Sequence, residues 1–219
     1  MTTPLQLFRL RSDLRVHDNS ALRAATERGP AVALYLISPE QWRAHDDAPC
    51  KVDFWRRNLH SLSAALGELN IPLLIRKASH WDDAPQVLLN LCMELGVVAV
   101  HVNDEYGIHE SRRDHAAAQA LQAQGIGFHA YLDQLLFQPG SVLTKTGTYF
   151  QVFSQFRKVC YERLHRALPA LVPLPARQAP LPIASDPVPA DIPGFAAPDA
   201  ALQAPWPAGE DEAPPRPAQ

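Results

Sequence analysis

Clusters of charged and hydrogen-bonding side chains follow directly after apolar stretches of this chain. The first cluster is residues 11–19 (RSDLRVHDN), which together with Arg9 places three arginines beside two aspartates. Because guanidinium groups pair with carboxylates in a fixed geometry, we expect an ion-pair network here, with ligand binding as the alternative. The cluster contains no glycine, and neither GxGxxG nor GxxxxGK(S/T) occurs in the sequence, which argues against a dinucleotide or P-loop phosphate site.

Two further polar clusters contain candidate ligand-binding residues. Residues 38–45 (SPEQWRAH) end on His45, and residues 103–110 (NDEYGIHE) end on His109 and Glu110. The structural alternatives are a solvated His45 in a surface loop and a Glu110 that caps the helix following it.

Metal binding is not expected from this sequence. His109, Glu110 and His115 lack the HExxH spacing that places two histidines on one helix face. The three cysteines lie far apart and form no CxxC pair, which argues against a zinc site or a disulfide framework. Reduced cysteines, the lack of a secretory leader pattern and the lack of a long apolar run predict a cytoplasmic protein without a membrane span.

The spacing of apolar residues predicts the elements that position these clusters. Continuous apolar stretches predict strands, and helical spacing predicts the helices between them. The predicted strands are residues 5–9, 31–37, 71–75, 97–102 and 126–131, and the predicted helices are residues 20–28, 52–69, 83–96 and 111–124. Strands separated by helices favour an α/β fold with a doubly wound, five-stranded parallel sheet of the Rossmann or flavodoxin type. Such folds bind ligands beyond the carboxyl ends of their strands, where all three polar clusters lie.

Proline divides the chain into two parts. Of the 21 prolines, 7 precede Pro169 and 14 lie from Pro169 onward. Since proline lacks a backbone donor and resists both helix and central strand, residues 1–168 are predicted to fold and residues 169–219 to form an extended linker. A helix predicted near the end of the first part, at about residues 152–168, carries an apolar stripe that indicates core packing.

Three segments carry a family resemblance. Residues 11–19 resemble RxDLRxxDN, a hallmark of the photolyase/cryptochrome family, which the family precedes with Trp-Phe where this chain has Arg9-Leu10. Residues 139–158 (PGSVLTKTGTYFQVFSQFRK) resemble the family's PGxVLTxxGxxYxVFTPFxK segment, and residues 206–213 (WPAGEDEA) resemble its WxxGExxA segment. On these residues the chain is identified as a member of the family, covering the N-terminal α/β domain.

The resemblance implies a part in light-driven DNA repair. In this family a reduced FAD in a second, helical domain donates an electron to a pyrimidine dimer, and the α/β domain seats an antenna chromophore, often methenyltetrahydrofolate. The match to folate-type members implies that His45, His109 and Glu110 bind the antenna, with His109 in place of the family's asparagine. Glu110 would accept hydrogen bonds from the amino and ring N–H groups of the pterin.

The sequence contains none of the family's flavin-domain motifs. The chain is therefore expected to be truncated, to hold no catalytic residue and to repair no DNA alone. It is expected to be a monomer whose contact with damaged DNA is weak or absent, in line with its net charge of −3.

Three other interpretations stay open at this point. A cryptochrome-like light-signalling protein would carry the same domain, and an unrelated nucleotide-binding module could share the fold. The third is a nonfunctional remnant with an apolar patch that a second domain would otherwise cover.

Overall fold

A five-stranded sheet with helices on both faces forms the centre of the fold. The structure is a computed structural model that describes residues 3–212. The strands are β1 (Leu5–Leu10), β2 (Ala31–Ile37), β3 (Leu73–Lys77), β4 (Val97–Asn103) and β5 (Gly127–Tyr131). The helices are α1 (Ser20–Arg28), α2 (Pro39–Ala44), α3 (Pro49–Glu68), α4 (Ala84–Leu95), α5 (Ile108–Gln122), α6 (Phe153–Arg166) and α7 (Ala200–Gln203). Within residues 3–212, no helix combines the length and apolar character that crossing a bilayer requires.

The strand order confirms the predicted doubly wound parallel sheet. The order is β3-β2-β1-β4-β5, and every neighbouring pair is parallel. The chain runs outward from β1 to β3 and then crosses back to β4 on the other side of β1. Doubly wound folds bind ligands in the crevice at such a reversal, beyond the carboxyl ends of the strands. The polar clusters of the sequence follow β1, β2 and β4 at this end of the sheet.

Alternating strand side chains divide the core into two layers. Phe8 of β1 packs with residues of α1 and α3 on one face, whereas Leu7 packs with residues of α4 and α5 on the other. Every residue of β2 is buried, as expected of a strand covered on both faces. Burial of each large apolar side chain contributes about 1.5–3 kcal/mol, so both layers are needed to hold the strand ends in place.

Three helix starts differ from the sequence prediction. Pro39 opens α2 where a loop was expected, and Pro49 opens α3 ahead of the predicted start at residue 52. Proline at the first helical position loses no intrahelical hydrogen bond, and its fixed φ suits a helix. Helix α5 begins at Ile108, so Glu110 lies within its first turn rather than before it.

The prediction that the apolar stripe of α6 packs into the core is wrong. None of the residues of α6 is buried, and Phe153 and Phe156 are 72% and 37% exposed. The two phenylalanines of the stripe are therefore exposed, whereas Val159, Cys160 and Leu164 are half-buried.

The proline-rich segment packs along the edge of the sheet. Residues 178–195, here called the strap, run beside the edge strand β3. The Leu73 N–H donates to Ser185 Oγ at 3.0 Å, the Asp186 N–H donates to the Leu73 carbonyl at 2.8 Å, and the Ile75 N–H donates to Asp186 Oδ2 at 2.8 Å. An edge strand with unpaired N–H and C=O groups is a template for aggregation. The strap pairs with such groups of β3 and so protects the edge of the sheet from pairing with another chain. Residues 213–219, the end of the predicted linker, lie outside the described residues.

We expect Asp186→Ala to lower the free energy of unfolding by about 1–2 kcal/mol, because it leaves the half-buried Ile75 N–H without an acceptor. It also removes the ion pair between Asp186 and Arg76, at 2.5 Å. Urea denaturation of the 219-residue chain would measure the loss. Asp191→Ala, an exposed aspartate on the same strap, is the matched control, and an equal loss in both variants would contradict the role of Asp186.

Candidate functional site

A cavity of about 320 Å³ opens beyond the carboxyl ends of β1 and β2. Its walls come from the strand ends, from α2 and α3, from a 3₁₀ turn at Trp81–Asp83, and from the segment that leads into α5. The lining residues are Arg9, Leu10, Arg11, Ser12, Tyr35, Leu36, Ser38, Trp42, His45, Asp47, Lys51, Trp55, Trp81, Glu105, Glu110 and Arg113. The cavity therefore lies at the edge of the sheet where the topology favours a ligand.

Aromatic rings form one wall of the cavity. The centroids of Trp42 and Trp55 are 5.3 Å apart, and those of His45 and Trp81 are 5.0 Å apart. Trp42 is buried, and Phe195 of the strap packs edge-on against it at 6.2 Å. Such flat, rigid surfaces bind planar heteroaromatic rings by stacking and edge-to-face contact.

The structure places two of the three predicted ligand-binding residues at this cavity and the third beside one of them. His45 and Glu110 both line it, and the ring of His109 lies 5.5 Å from that of His45 without lining the cavity itself. His45 ends α2, and its Nε2 lies 2.9 Å from Gln41 Nε2, which orients the imidazole.

Glu110 folds back over the start of its own helix. A Cβ at Gly107 would overlap the Glu110 carboxylate, so a larger residue at position 107 would shift this side chain. Helix α5 begins at the next residue, and its N-terminal dipole favours a carboxylate here. The carboxylate lies at the cavity, and its oxygens can accept two parallel N–H donors.

A network of ion pairs forms the side of the cavity nearest β4. Arg113 donates to Glu105 at 2.7 Å and to Asp114 at 2.9 Å, and Arg11 pairs with the same two carboxylates. Burial alone would raise the pKa of Glu105 and of Asp114, but the two guanidinium groups outweigh it and lower both values. Both carboxylates are therefore held as anions, and most of the positive charge of Arg11 and Arg113 is neutralised.

Residues 6–176 match the sequence model of the family described as DNA photolyase. The chain belongs to the DNA photolyase family.

Curated photolyase relatives are similar over most of this chain. The deoxyribodipyrimidine photo-lyase of Vibrio cholerae is 38% identical over 155 residues, which is 70% of this chain and 33% of the relative. That of Escherichia coli is 33% identical over 177 residues, which is 80% of this chain and 37% of the relative. The chain thus spans about a third of the length of these photolyases.

Solved structures of photolyases and cryptochromes share the fold. A class III photolyase from Agrobacterium tumefaciens aligns with a TM-score of 0.69 at 25% identity, over 86% of this chain and 38% of that one. A cryptochrome from Synechocystis aligns with a TM-score of 0.75 over 91% of this chain and 41% of that one, and at 20% identity it shows the fold alone. The resemblance of residues 11–19 and 139–158 to the photolyase family is therefore confirmed.

The photolyase hallmark at residues 11–19 forms the predicted network, but with carboxylates outside the segment. Arg11 reaches Asp114, and Arg15 reaches Asp133, so each arginine ties the loop to a distant element. Asp13 instead accepts the Arg11 N–H at 2.8 Å and the Asn103 amide at 2.7 Å. Burial raises the pKa of Asp13 despite these donors. The hallmark therefore positions the rim of the photolyase cavity rather than contributing a free set of charges.

Sequence reasoning missed several lining residues of the photolyase domain. Trp55 reaches the cavity from α3, and Trp81 reaches it from the turn before α4. Both elements lie outside the three polar clusters of the sequence. Lys51 lies at the cavity within 2.5 Å of Asp47 and 4.8 Å from the centroid of Trp55. The tryptophans in residues 42–81 were the available signal, since large aromatic side chains near strand ends commonly line pockets.

Proposed function

We propose that this domain seats the antenna chromophore of a light-driven photolyase, and that the chromophore is methenyltetrahydrofolate. The observation that carries the proposal is the meeting of His45, Glu110 and the tryptophan wall in one cavity at the reversal of the strand order. Such a chromophore absorbs light and passes excitation to a flavin. The task of the protein is to fix its position and orientation.

The residues of the cavity fit a pterin ring. Its volume, about 320 Å³, is near the lower end of the range for small-molecule sites, which suits a bicyclic ring. The ring would lie against Trp81 and His45, and Glu110 would accept its amino and ring N–H groups. His109 would support His45 from behind, since their rings lie 5.5 Å apart.

Electron transfer and dimer splitting would take place in a second domain. We assign residues 1–168 to the antenna domain and residues 169–219 to the connection that follows it. The exposed apolar stripe of α6, with Phe153 72% exposed, supports a surface that a flavin-binding domain covers. With that domain, the protein would act on pyrimidine dimers in DNA as a monomer, and a flipped-out dimer is accessible because its stacking is already weak.

A light-signalling role is the second candidate. Cryptochrome-1 of Arabidopsis thaliana is 32% identical over 152 residues, which is 68% of this chain and 22% of that protein. An antenna cavity would serve either role. Assaying dimer repair under near-ultraviolet light in the protein that carries this domain together with its own flavin domain would separate them, since repair favours a photolyase and its absence favours signalling.

We expect the purified chain to bind methenyltetrahydrofolate and Glu110→Gln to weaken binding by about tenfold or more. The substitution replaces a charged acceptor of two hydrogen bonds by an amide with one acceptor, and bonds to charged groups contribute about 1.5–3 kcal/mol. Absorbance and fluorescence of the chromophore during titration measure the dissociation constant.

Glu68→Gln provides the matched control, because Glu68 is exposed at the far end of α3 and does not line the cavity. It is expected to bind like the unsubstituted chain. If titration of the unsubstituted chain produced neither a spectral shift nor thermal stabilisation, the antenna proposal would be wrong.

A further inference from the structure

Arg9 is a buried cation in the wall of the cavity without a hydrogen-bond partner. Arg9 is 3% exposed. Within residues 3–212, no hydrogen-bond acceptor lies within bonding distance of its Nε or Nη1. Its nearest carboxylate oxygen is Asp114 Oδ1, at 4.0 Å from Nη1, which is beyond hydrogen-bond distance. Buried polar groups are almost always paired, and a charged one without a partner is the most costly exception.

The neighbouring carboxylates do not compensate for Arg9. Glu105 and Asp114 are already engaged by Arg11 and Arg113, each through a shorter contact than the one to Arg9. Burial, followed by the charges of Arg113 and Arg11, lowers the pKa of Arg9 to about 9. Three guanidinium groups therefore share the two carboxylates of Glu105 and Asp114, and Arg9 has neither within hydrogen-bond distance.

The position of Arg9 in the fold indicates what this cation is for. It lies in the central strand β1, on the opposite side from the core residues Phe8 and Leu10, and it reaches the cavity beside Arg11 and Ser12. The photolyase pattern has an aromatic residue here, so packing of the strand does not require arginine. An apolar side chain of similar length would fill the space without a buried charge.

We propose that the cavity binds a chromophore that carries a carboxylate or phosphate group, and that this anion pairs with the guanidinium of Arg9. The inference rests on the proposal that the cavity holds an antenna chromophore, and it adds the side chain that pairs with the acid group of that ligand. The planar guanidinium presents N–H donors that match both anions, and within residues 3–212 its enclosed Nε and Nη1 have no acceptor. The tryptophan wall would bind the ring while Arg9 binds the acid.

Matched pairs of ligands test this inference by isothermal titration calorimetry. One pair is methenyltetrahydrofolate and its derivative with both glutamyl carboxylates converted to amides; the other is riboflavin 5′-phosphate and riboflavin. We expect the anionic member of at least one pair to bind about tenfold or more tightly, because charge-assisted hydrogen bonds are about twice as strong as neutral ones. The pair that shows the preference identifies the acid as carboxylate or phosphate.

Variants of Arg9 assign the preference to this side chain. Arg9→Met should bind both members of the pair equally and melt at a higher temperature than the unsubstituted chain without ligand, since it removes an unpaired buried charge. Arg9→Lys should keep part of the preference, because it retains charge without the fork of donors. Arg112→Met, on the exposed surface of α5, is the control and should keep the full preference.

The outcomes separate this inference from the antenna proposal. The anion site would be overturned if the unsubstituted chain bound charged and neutral ligands equally, or if Arg9→Met kept the same preference for the charged ligand. In either case, binding of the ring compounds would still support the antenna proposal. Failure of every ring compound to bind would overturn both. If Arg9→Met did not fold, Arg9→Lys would provide the test. A preference for the anionic ligand equal to that of the unsubstituted chain would count against pairing with the parallel donors of the guanidinium group.

Discussion

Replacement of Asn103 by leucine is expected to lower the free energy of unfolding by about 3–5 kcal/mol, because it leaves one oxygen of the buried Asp13 carboxylate and the buried Ala21 N–H without partners. Asn103 is fully buried at the end of β4. Its side-chain oxygen accepts the Ala21 N–H at 2.9 Å, and its amide donates to Asp13 at 2.7 Å and to Asn19 at 2.9 Å. Leucine has the same number and branching of side-chain heavy atoms as asparagine but neither a donor nor an acceptor.

The effect should extend to the cavity. Asn103 joins the start of α1 to the loop that carries Arg11 and Ser12, and both of these residues line the cavity. Chemical denaturation measures the loss of stability, and titration with the chromophore measures the loss of binding. Asn90→Leu, on the exposed surface of α4, is the matched control and is expected to change stability by no more than about 0.5 kcal/mol. Equal stabilities of the two variants would show that the Asn103 hydrogen bonds contribute little.

The strands and the end of the sheet that carries the site could be predicted from the sequence. The apolar stretch of β2 and the alternation of strands with helices determine a parallel sheet, and parallel strands place their carboxyl ends at one edge. His45 and Glu110 could therefore be assigned to one side of the sheet before any coordinates. Their meeting in one cavity depends on the order β3-β2-β1-β4-β5, which periodicity does not specify.

Contacts between distant segments were the part that the sequence could not supply. Trp81 lies in a short 3₁₀ turn that apolar periodicity does not predict, and Arg9 belongs to a strand whose burial pattern alone would predict an apolar residue. The strap is rich in proline, which argues against helix and central strand but says nothing about the contacts of the strap with β3. For helix α6 the sequence predicted a contact that the described residues do not make. An apolar stripe predicts burial but does not specify which surface covers it.

Acidification from about pH 6.5 to pH 4 is expected to destabilise the domain through His101, whose imidazole is fully buried between β1 and β5. Its Nε2 lies 3.0 Å from Gln6 Oε1, and its Nδ1 lies 2.9 Å from the Tyr131 hydroxyl. Burial, followed by His129 and Arg28, lowers the pKa of His101 from 6.5 to about 4. The unfolded chain therefore takes up a proton that the folded chain excludes, and stability rises with pH across this window. At about 1.4 kcal/mol per pKa unit, the loss of stability on acidification is about 3 kcal/mol.

A comparison with His101→Gln isolates this contribution from that of carboxylates such as Asp53, whose pKa is lowered by its bonds to Arg57 and Arg56 although burial alone would raise it. Glutamine keeps an acceptor and a donor for the buried partners but cannot be protonated in this range. Unfolding free energies measured in urea at pH 7, 6, 5 and 4 should therefore fall less steeply in His101→Gln than in the unsubstituted chain, with the two curves diverging by about 3 kcal/mol at pH 4. His115→Gln, on the exposed surface of α5, controls for the substitution itself. Parallel curves for His101→Gln and the unsubstituted chain would mean that a neutral, buried His101 does not set the acid sensitivity of this fold.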